Sequence, residues 1–173
     1  MNVHKHKSQP YNKITNSAFT IIEVVLVLAI AGLIFLMVFI ALPALQRNQR
    51  DTQRKNDMSR LKTAIDNYKA NNRGQIPTEL TNASQPFSSF SFGVNYLKAD
   101  QGEFNDPDGE PYLVRYYSSR VVGFVQNVGE WPHSVFITPG KKCNGEALAA
   151  ANGPTNYAIQ YVLESGGIYC IDG

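Results

Sequence analysis

The sequence is poor in the residues from which catalytic and metal sites are built. It contains three histidines and two cysteines in 173 residues, and His4 and His6 both lie close to the N-terminus. His133 has no neighbour in the sequence with which it would form a catalytic pair. No phosphate-binding glycine loop, nucleophile elbow or zinc-type spacing of cysteine and histidine occurs. We therefore expect a protein that is not an enzyme.

Charge is absent from Val24 to Leu45. At about 1.5 Å per residue, an apolar helix of this length crosses a hydrocarbon core of roughly 30 Å. The rest of the chain has room for one small domain, and a hydrophobic content of 43% suits a packed domain. The formal net charge of +2 is close to neutral, so it neither implies nor excludes a nucleic acid as partner. We expect one transmembrane helix and one globular domain.

A single carboxylate, Glu23, stands at the beginning of the apolar segment. An ionisable residue costs about 2.5–3.5 kcal/mol at the bilayer centre and less near an end, and it usually has a function there. An amine at the same depth in the membrane would be the partner that most simply offsets this cost. Cleavage between Ala18 and Phe19 would create such an amine about one helical turn from Glu23 of the same chain. The amine that pairs with Glu23 could also come from a neighbouring copy.

The residues around this junction resemble the processing site of type IV prepilins. A short basic leader ends in a small residue, Ala18, and is followed by Phe19, Thr20, Glu23 and a long apolar helix. The resemblance implies cleavage after Ala18 by a prepilin peptidase and N-methylation of Phe19. It also implies that Glu23 pairs with the N-terminal amine of an adjacent subunit during assembly. The family usually has glycine at the position of Ala18; alanine is also small, and we expect cleavage there.

The resemblance implies a structural subunit of a type IV pilus that supports adhesion, twitching motility or DNA uptake. Such a subunit is first held in the cytoplasmic membrane with its N-terminus in the cytoplasm, and is then packed into an extracellular helical filament. Its partners would be further copies of itself, the prepilin peptidase, an assembly ATPase and a membrane platform protein. No feature of the sequence indicates DNA as a ligand.

Two other interpretations share most of these features. A pseudopilin of a type II secretion or competence system has the same N-terminal residues and forms only a short fibre. A signal-anchored extracytoplasmic binding domain would keep its leader and would not polymerise. A secretory signal peptide fits less well, because its apolar region spans roughly 7–15 residues and ends in an A-x-A-like site.

The basic residues around the apolar segment conflict with an external C-terminal domain. Three lysines precede the segment, and a larger basic group follows it: Arg47, Arg50, Arg54, Lys55, Arg60 and Lys62. The positive-inside rule places the more basic side in the cytoplasm. We nevertheless expect the C-terminal domain outside, because the cleavage motif and the cysteine pair both require that orientation.

The helix is expected to continue beyond the apolar segment and to end before Gly74. Apolar residues at spacings of three and four residues place one face of the continuation against a core: Met58, Leu61, Ile65 and Tyr68. The charged residues that precede this stripe, Asp51 and Arg54 included, are predicted to form a solvated face. The expected segments are a removable leader (1–18), a transmembrane or filament-core helix (19–45), an amphipathic continuation (46–72) and a β-rich head (73–173).

The head is predicted to be a small sheet. Residues 81–91 are expected to form a loop, and short β-branched and aromatic segments follow it. The predicted strands are Tyr112–Tyr117, Val121–Val125, Val135–Thr138, Tyr157–Leu163 and Ile168–Ile171, the last two joined by a hairpin at Ser165-Gly166-Gly167. The expected fold class is α+β, in which a long N-terminal helix packs on one antiparallel sheet of about four strands, as in the pilin fold.

Two features of the head are candidate sites. In an exported domain, Cys143 and Cys170 are expected to form a disulfide that closes a loop of about 27 residues and stabilises the fold by around 3–4 kcal/mol; in a cytosolic domain they would be free thiols. Asp106 and Asp108 lie in a segment that resembles a turn of major pseudopilins, some of which bind calcium nearby. Oxygen ligands in a flexible loop suit Ca²⁺, but a tight turn alone explains the same residues.

Overall fold

The computed structural model describes residues 19–81, 84–115, 133–153 and 155–173. The predicted leader (1–18), the end of the strand predicted at Tyr112–Tyr117 and the whole strand predicted at Val121–Val125 lie outside the described residues. The chain forms two compact units, and the second unit begins at Pro43.

One long helix, α1, comprises Ile21–Asn71 and agrees with the helix predicted over residues 19–72. Pro43 has no amide hydrogen and removes one intrahelical hydrogen bond, but the helix continues past it. By length and composition, α1 is able to cross a membrane. After the helix the backbone turns at Gly74, whose φ of 78° suits glycine. The amide of Gly74 donates to the carbonyl of Lys69 at 2.8 Å, as expected at a helix C-terminus.

The head contains a five-stranded mixed sheet and a separate two-stranded sheet. The seven strands are β1 (Ser84–Pro86), β2 (Leu113–Arg115), β3 (Ser134–Pro139), β4 (Lys141–Asn144), β5 (Ala147–Ala150), β6 (Tyr157–Val162) and β7 (Ile168–Asp172). The large sheet has the order β1-β2-β3-β6-β7, and β4 and β5 form the small sheet as a hairpin. The structure thus confirms the α+β class and the long helix.

The sheet differs from the prediction in three respects. The head has two sheets instead of one, because β4 and β5 pair only with each other. Residues 84–86, expected in a loop, form the edge strand β1 and pair with β2. Strands β2 and β3 are parallel, with Val114 opposite Val135, whereas every other pair is antiparallel. A parallel pair requires a crossover of a dozen or more residues, and residues 116–133 separate these two strands. The β6–β7 hairpin was correctly predicted.

The amphipathic part of α1 packs against the large sheet. Met58, Leu61 and Ile65 are fully buried, and they share one core with Ile137 of β3 and Ile159 of β6. Burying each side chain of this size stabilises the fold by about 1.5–3 kcal/mol. The apolar stripe of the sequence therefore makes the core contact that its spacing predicted.

Candidate functional site: the N-terminal helix and the charged cluster after it

The first part of α1 exposes a continuous apolar surface. From residue 19 to residue 45 every residue is exposed except Ala31, which is half-buried, and Thr20 and Glu23 are the polar residues in this range. Large side chains are included, such as Phe19 at 86% and Phe39 at 72% exposure. Among the described residues, all exposed large hydrophobic side chains lie between Phe19 and Leu45. An apolar surface of this extent is typical of a segment that is covered by lipid or by another protein.

Glu23 lies in the first turn of this helix and forms a capping box with Thr20. Its Oε2 accepts hydrogen bonds from the backbone amide of Thr20 at 2.8 Å and from the Thr20 hydroxyl at 2.7 Å. In return, the amide of Glu23 donates to the Thr20 hydroxyl at 3.3 Å. A threonine followed three residues later by glutamate is the usual capping sequence at a helix N-terminus. Sequence reasoning had missed this local role of Glu23.

The capping box leaves part of the carboxylate free. Among the described residues, no hydrogen-bond donor contacts Oε1 of Glu23. The carboxylate can therefore stabilise the helix N-terminus through Oε2 and still bind a cation through Oε1. Phe19, the predicted first residue of the mature chain, is described and exposed, whereas Ala18 lies outside the described residues.

Five charged side chains form a cluster at the beginning of the packed part of α1. Arg54, only 5% exposed, lies at its centre. Its guanidinium donates to both carboxylate oxygens of Asp106, at 2.7 and 2.8 Å, and also to Asp51 at 3.1 Å and Glu164 at 3.0 Å. Arg50 donates to both oxygens of Glu164. Bidentate pairs of this kind are strong and geometrically specific.

The same cluster fixes the turn between β6 and β7. Asp51 accepts hydrogen bonds from the backbone amides of Glu164 and Ser165, both at 2.9 Å. The prediction that Asp51 and Arg54 belong to a solvated face is therefore wrong. Both are buried because residues more than fifty positions away supply their partners, and no helical periodicity reveals such partners.

Hydrogen bonding keeps the carboxylates of the cluster ionised. Burial alone would raise the pKa of Asp106, but hydrogen bonds from Arg54 and Tyr161 outweigh it and hold the pKa at about 2. The pKa of Glu164 is also lowered to about 2, mainly by its hydrogen bond with Arg50. The pKa of Asp51 is lowered because hydrogen bonds from Ser165, Glu164 and Arg54 together outweigh its burial. The pKa of Arg54 is raised, chiefly by Asp106.

The candidate calcium ligands lie at the edge of this cluster. Asp106 already accepts two hydrogen bonds from Arg54 and one from the Tyr161 hydroxyl at 2.7 Å. Asp108 is exposed, and ligand atoms of Asp106, Asp108 and His133 lie within 4.8 Å of one another. A Ca²⁺ ion at this position would share Asp106 with the guanidinium of Arg54, and the positive charge of Arg54 disfavours its binding. Calcium binding stays a prediction that thermal melting with and without Ca²⁺ would test.

The two cysteines form the expected disulfide. Cys143 of β4 is bonded to Cys170 of β7, with 5.8 Å between their Cα atoms. The bond attaches the β4–β5 hairpin to the last strand of the large sheet. Among the described residues no free cysteine remains.

Comparison of the chain with protein-family models, with curated proteins and with solved structures gives no significant match in any of the three.

Proposed function

We propose that this chain is a pilin, a structural subunit of a type IV pilus that assembles through its N-terminal helix. The observation that carries the proposal is the combination of two features in α1. From Val24 to Leu45 it exposes only apolar side chains, and Glu23 just before this stretch has a carboxylate oxygen free for a cation. The α-amino group of Phe19, after cleavage behind Ala18, is the cation that would pair with Glu23 of a neighbouring subunit.

The apolar surface of α1 is covered both before and after assembly in this proposal. In the membrane, lipid covers these side chains; in a filament, the helices of neighbouring subunits cover them. Because lipid tails are as apolar as the side chains, the gain on assembly comes from close helix packing and from the Glu23 ion pair. The head contributes no exposed large hydrophobic side chain among its described residues, which suits a domain that faces water.

The charged cluster and the disulfide support an external head. Arg50 and Arg54 are neutralised by Glu164, Asp51 and Asp106 in the folded domain. These two of the six basic residues behind the apolar segment therefore have a structural reason to be there, independent of membrane orientation. A disulfide is typical of exported domains.

The experiment that tests this proposal is N-terminal sequencing and intact mass of protein sheared from the cell surface. We expect N-methylated Phe19 as the first residue and a mass with the disulfide formed. The matched precursor control is Ala18→Leu, in which a bulky residue replaces the small one, and it should accumulate uncut in the membrane. An intact leader on surface protein would exclude the pilin proposal and favour a signal-anchored domain.

A pseudopilin is the second candidate, because α1 and its capping box would serve a short fibre equally well. The partners of either protein are other copies of the chain, a prepilin peptidase, an assembly ATPase and a membrane platform protein. Electron microscopy of surface material separates the two candidates. Long fibres that disappear on deletion of the chain favour the pilus, and secretion loss without surface fibres favours the pseudopilus.

A further inference from the structure

The charges of the head differ in sign between its two ends along α1. We call the end where the packed part of α1 begins, beside Asp51 and Arg54, the near end of the head. The far end is where α1 terminates at Asn71. At the near end, Arg54 contacts Asp106 and also Glu164 of the β6–β7 turn.

The beginning of β4 lies at the far end. Asp66 is about 18 Å further along the helix than Arg54, at a rise of about 1.5 Å per residue. Its carboxylate accepts a hydrogen bond from the hydroxyl of Tyr157 at 2.8 Å. Tyr157 begins β6 and is paired with Pro139, the last residue of β3. The chain therefore enters β4 at the level of the last turns of α1.

The far end carries an excess of positive charge. Arg73, Lys141 and Lys142 are exposed, and among the described residues none of the three forms an ion pair. Two further lysines of α1 share one carboxylate, and two other carboxylates at this end accept backbone amides. Among the described residues of this end the cations are Lys62, Lys69, Arg73, Lys141 and Lys142, and the carboxylates are Asp66, Glu79 and Asp172.

The near end carries free carboxylates. Glu110 and Glu146 are exposed, and among the described residues neither side chain forms an ion pair or a hydrogen bond. Glu110 lies at this end because its carbonyl accepts from the amide of Asp106 at 2.8 Å. Glu146 lies there because a Cβ atom on Gly167 of the β6–β7 turn would be 2.8 Å from its Oε1. Asp108 is a third exposed carboxylate at this end.

The cations of the near end do not cancel this charge. The cluster around Arg54 contains three carboxylates and two arginines, so Arg47, 3.9 Å from Glu164, balances it. Lys55 is the other exposed cation between Leu45 and the packed stripe of α1, and its ammonium lies 5.9 Å from the ring centre of Tyr169. One lysine thus opposes three free carboxylates, and the near end is negative.

We propose that the far end of one head docks on the near end of a second copy of this chain. Opposite charges at the two ends attract each other, whereas two far ends or two near ends repel, so the head-to-tail arrangement is selected. Because the two surfaces lie at opposite ends, each docked copy leaves another end free. Such contacts build an open row of heads rather than a closed pair.

The inference rests on the proposed function and deepens it, because it names the head surfaces that neighbouring subunits of a filament share. Lys141 and Lys142 are consecutive strand residues and point to opposite faces, so the far end acts through its summed charge rather than through one pocket. Exposed ion pairs are individually weak and are screened by salt. The contact between heads should therefore be weak by itself and sensitive to salt.

The test measures self-association of the full, uncleaved chain in a non-ionic detergent by sedimentation equilibrium. The uncleaved chain has no α-amino group at Phe19, so the Glu23 pair does not contribute and a negative result leaves the pilin proposal standing. We expect association to weaken at least about tenfold between about 0.05 and 0.5 M NaCl, because salt screens exposed charges.

Two variants each reverse the charge of one end. Lys141→Glu/Lys142→Glu changes the far end, and Glu110→Lys/Glu146→Lys changes the near end. Each should weaken association at low salt at least about tenfold, because repulsion replaces attraction. The chain with all four substitutions again has ends of opposite sign, and its association should recover to within about threefold of wild type.

The matched control is Asp100→Lys, which reverses an exposed carboxylate between the two ends. Asp100 lies in the segment from Leu97 to Glu103, whose carbonyls accept hydrogen bonds from Arg60 in the middle of the packed helix. This variant should associate like wild type. Melting curves and thiol labelling check that every variant is folded with its disulfide intact.

Crosslinking locates the contact. A carbodiimide joins amines to carboxylates, and a mixture of light-isotope and heavy-isotope chains should give mixed peptides that link Lys141 or Lys142 to Glu110 or Glu146. Wild-type chain that does not associate at low salt would overturn the inference, and so would single-end variants that associate normally. A four-substitution chain as weak as the single-end variants would also overturn it. Loss of association in the far-end variant alone would overturn it in favour of an acidic partner other than the near end.

Discussion

Glu23 has a capping role and a proposed pairing role, and experiments can separate them because they depend on different properties of its side chain. The capping box needs an oxygen atom that accepts hydrogen bonds from Thr20. Pairing with an N-terminal amine needs a negative charge. Glutamine supplies the oxygen without the charge and is accepted in capping boxes, whereas valine supplies neither.

We predict that Glu23→Gln and Glu23→Val both stop filament assembly. Without the charge, the incoming amine is left unpaired in a low-dielectric interior, at a cost of roughly 3–5 kcal/mol or a factor of hundreds in an equilibrium. Cleavage after Ala18 and membrane insertion should persist, since they precede pairing. The measurement is an immunoblot of sheared and membrane fractions with the mass of the N-terminal peptide. Thr20→Val, which loses the hydroxyl but keeps the charge, is the control that should still assemble. If the Glu23→Gln chain forms filaments without wild-type chain, the pairing role of Glu23 is excluded and only its capping role remains.

At the scale of elements, one buried side chain of α1 contacts two head loops at once. Arg54 connects the helix to the loop that contains Asp106 and to the β6–β7 turn that contains Glu164. Loss of one partner from a buried ionic group costs more than the pair contributes, because the other partner stays buried with its charge uncompensated.

We predict that Arg54→Met lowers the free energy of unfolding by about 3–5 kcal/mol. Arg47→Met is the matched control, since Arg47 is exposed and lies 3.9 Å from Glu164, and it should change stability by less than about 1 kcal/mol. Addition of Asp106→Asn to Arg54→Met removes one of the two buried carboxylates that Arg54 had compensated, Asp106 and Asp51, and should recover part of the loss. Urea titration of the full chain in detergent measures all three. A stability within about 1 kcal/mol of wild type for Arg54→Met would contradict the prediction.

The disulfide joins two elements that the hydrogen bonds of the large sheet do not connect. Cys170→Ser should lower the stability of the head by about 3–4 kcal/mol, because the unfolded chain regains the entropy of a loop that the bond closes. Cleavage after Ala18 should be unchanged. The double variant Cys143→Ser/Cys170→Ser should match the single one. A melting temperature equal to that of wild type in either variant would show that the bond adds no stability.

Elements set by local pattern were predictable, and those set by distant partners were not. The apolar helix, the stripe from Met58 to Tyr68 and the β6–β7 hairpin each follow from residues close together in the sequence. The parallel pairing of β2 with β3 depends on a long connection, and the burial of Arg54 depends on Asp106 and Glu164. The disulfide was predictable only because two cysteines allow one pairing.

For the molecule as a whole, the lowered pKa values predict a head that resists mild acid. A carboxylate whose pKa is lower in the folded than in the unfolded state adds stability above the unfolded pKa, and that stability is lost as pH falls through the folded pKa. Asp106 and Glu164 both have folded pKa values of about 2, against ordinary values of 3.8 and 4.5. The pKa of Asp57 is raised by burial, and its effect on stability has the opposite sign.

We therefore predict that the free energy of unfolding stays nearly constant from neutral pH to about 4.5 and then falls towards pH 2. Asp106 alone should account for about 2 kcal/mol of the fall, because its pKa difference is roughly two units. The Asp106→Asn/Arg54→Met variant lacks this pair, so its stability should fall less over the same interval. Urea titrations at pH 7, 5, 4 and about 2.5 measure the free energy of unfolding of both chains.

Since buried pairs are screened little by salt, the difference between the two chains should persist at about 0.5 M NaCl. An equal fall in both chains would assign the acid sensitivity to surface carboxylates and leave the cluster without a role in it.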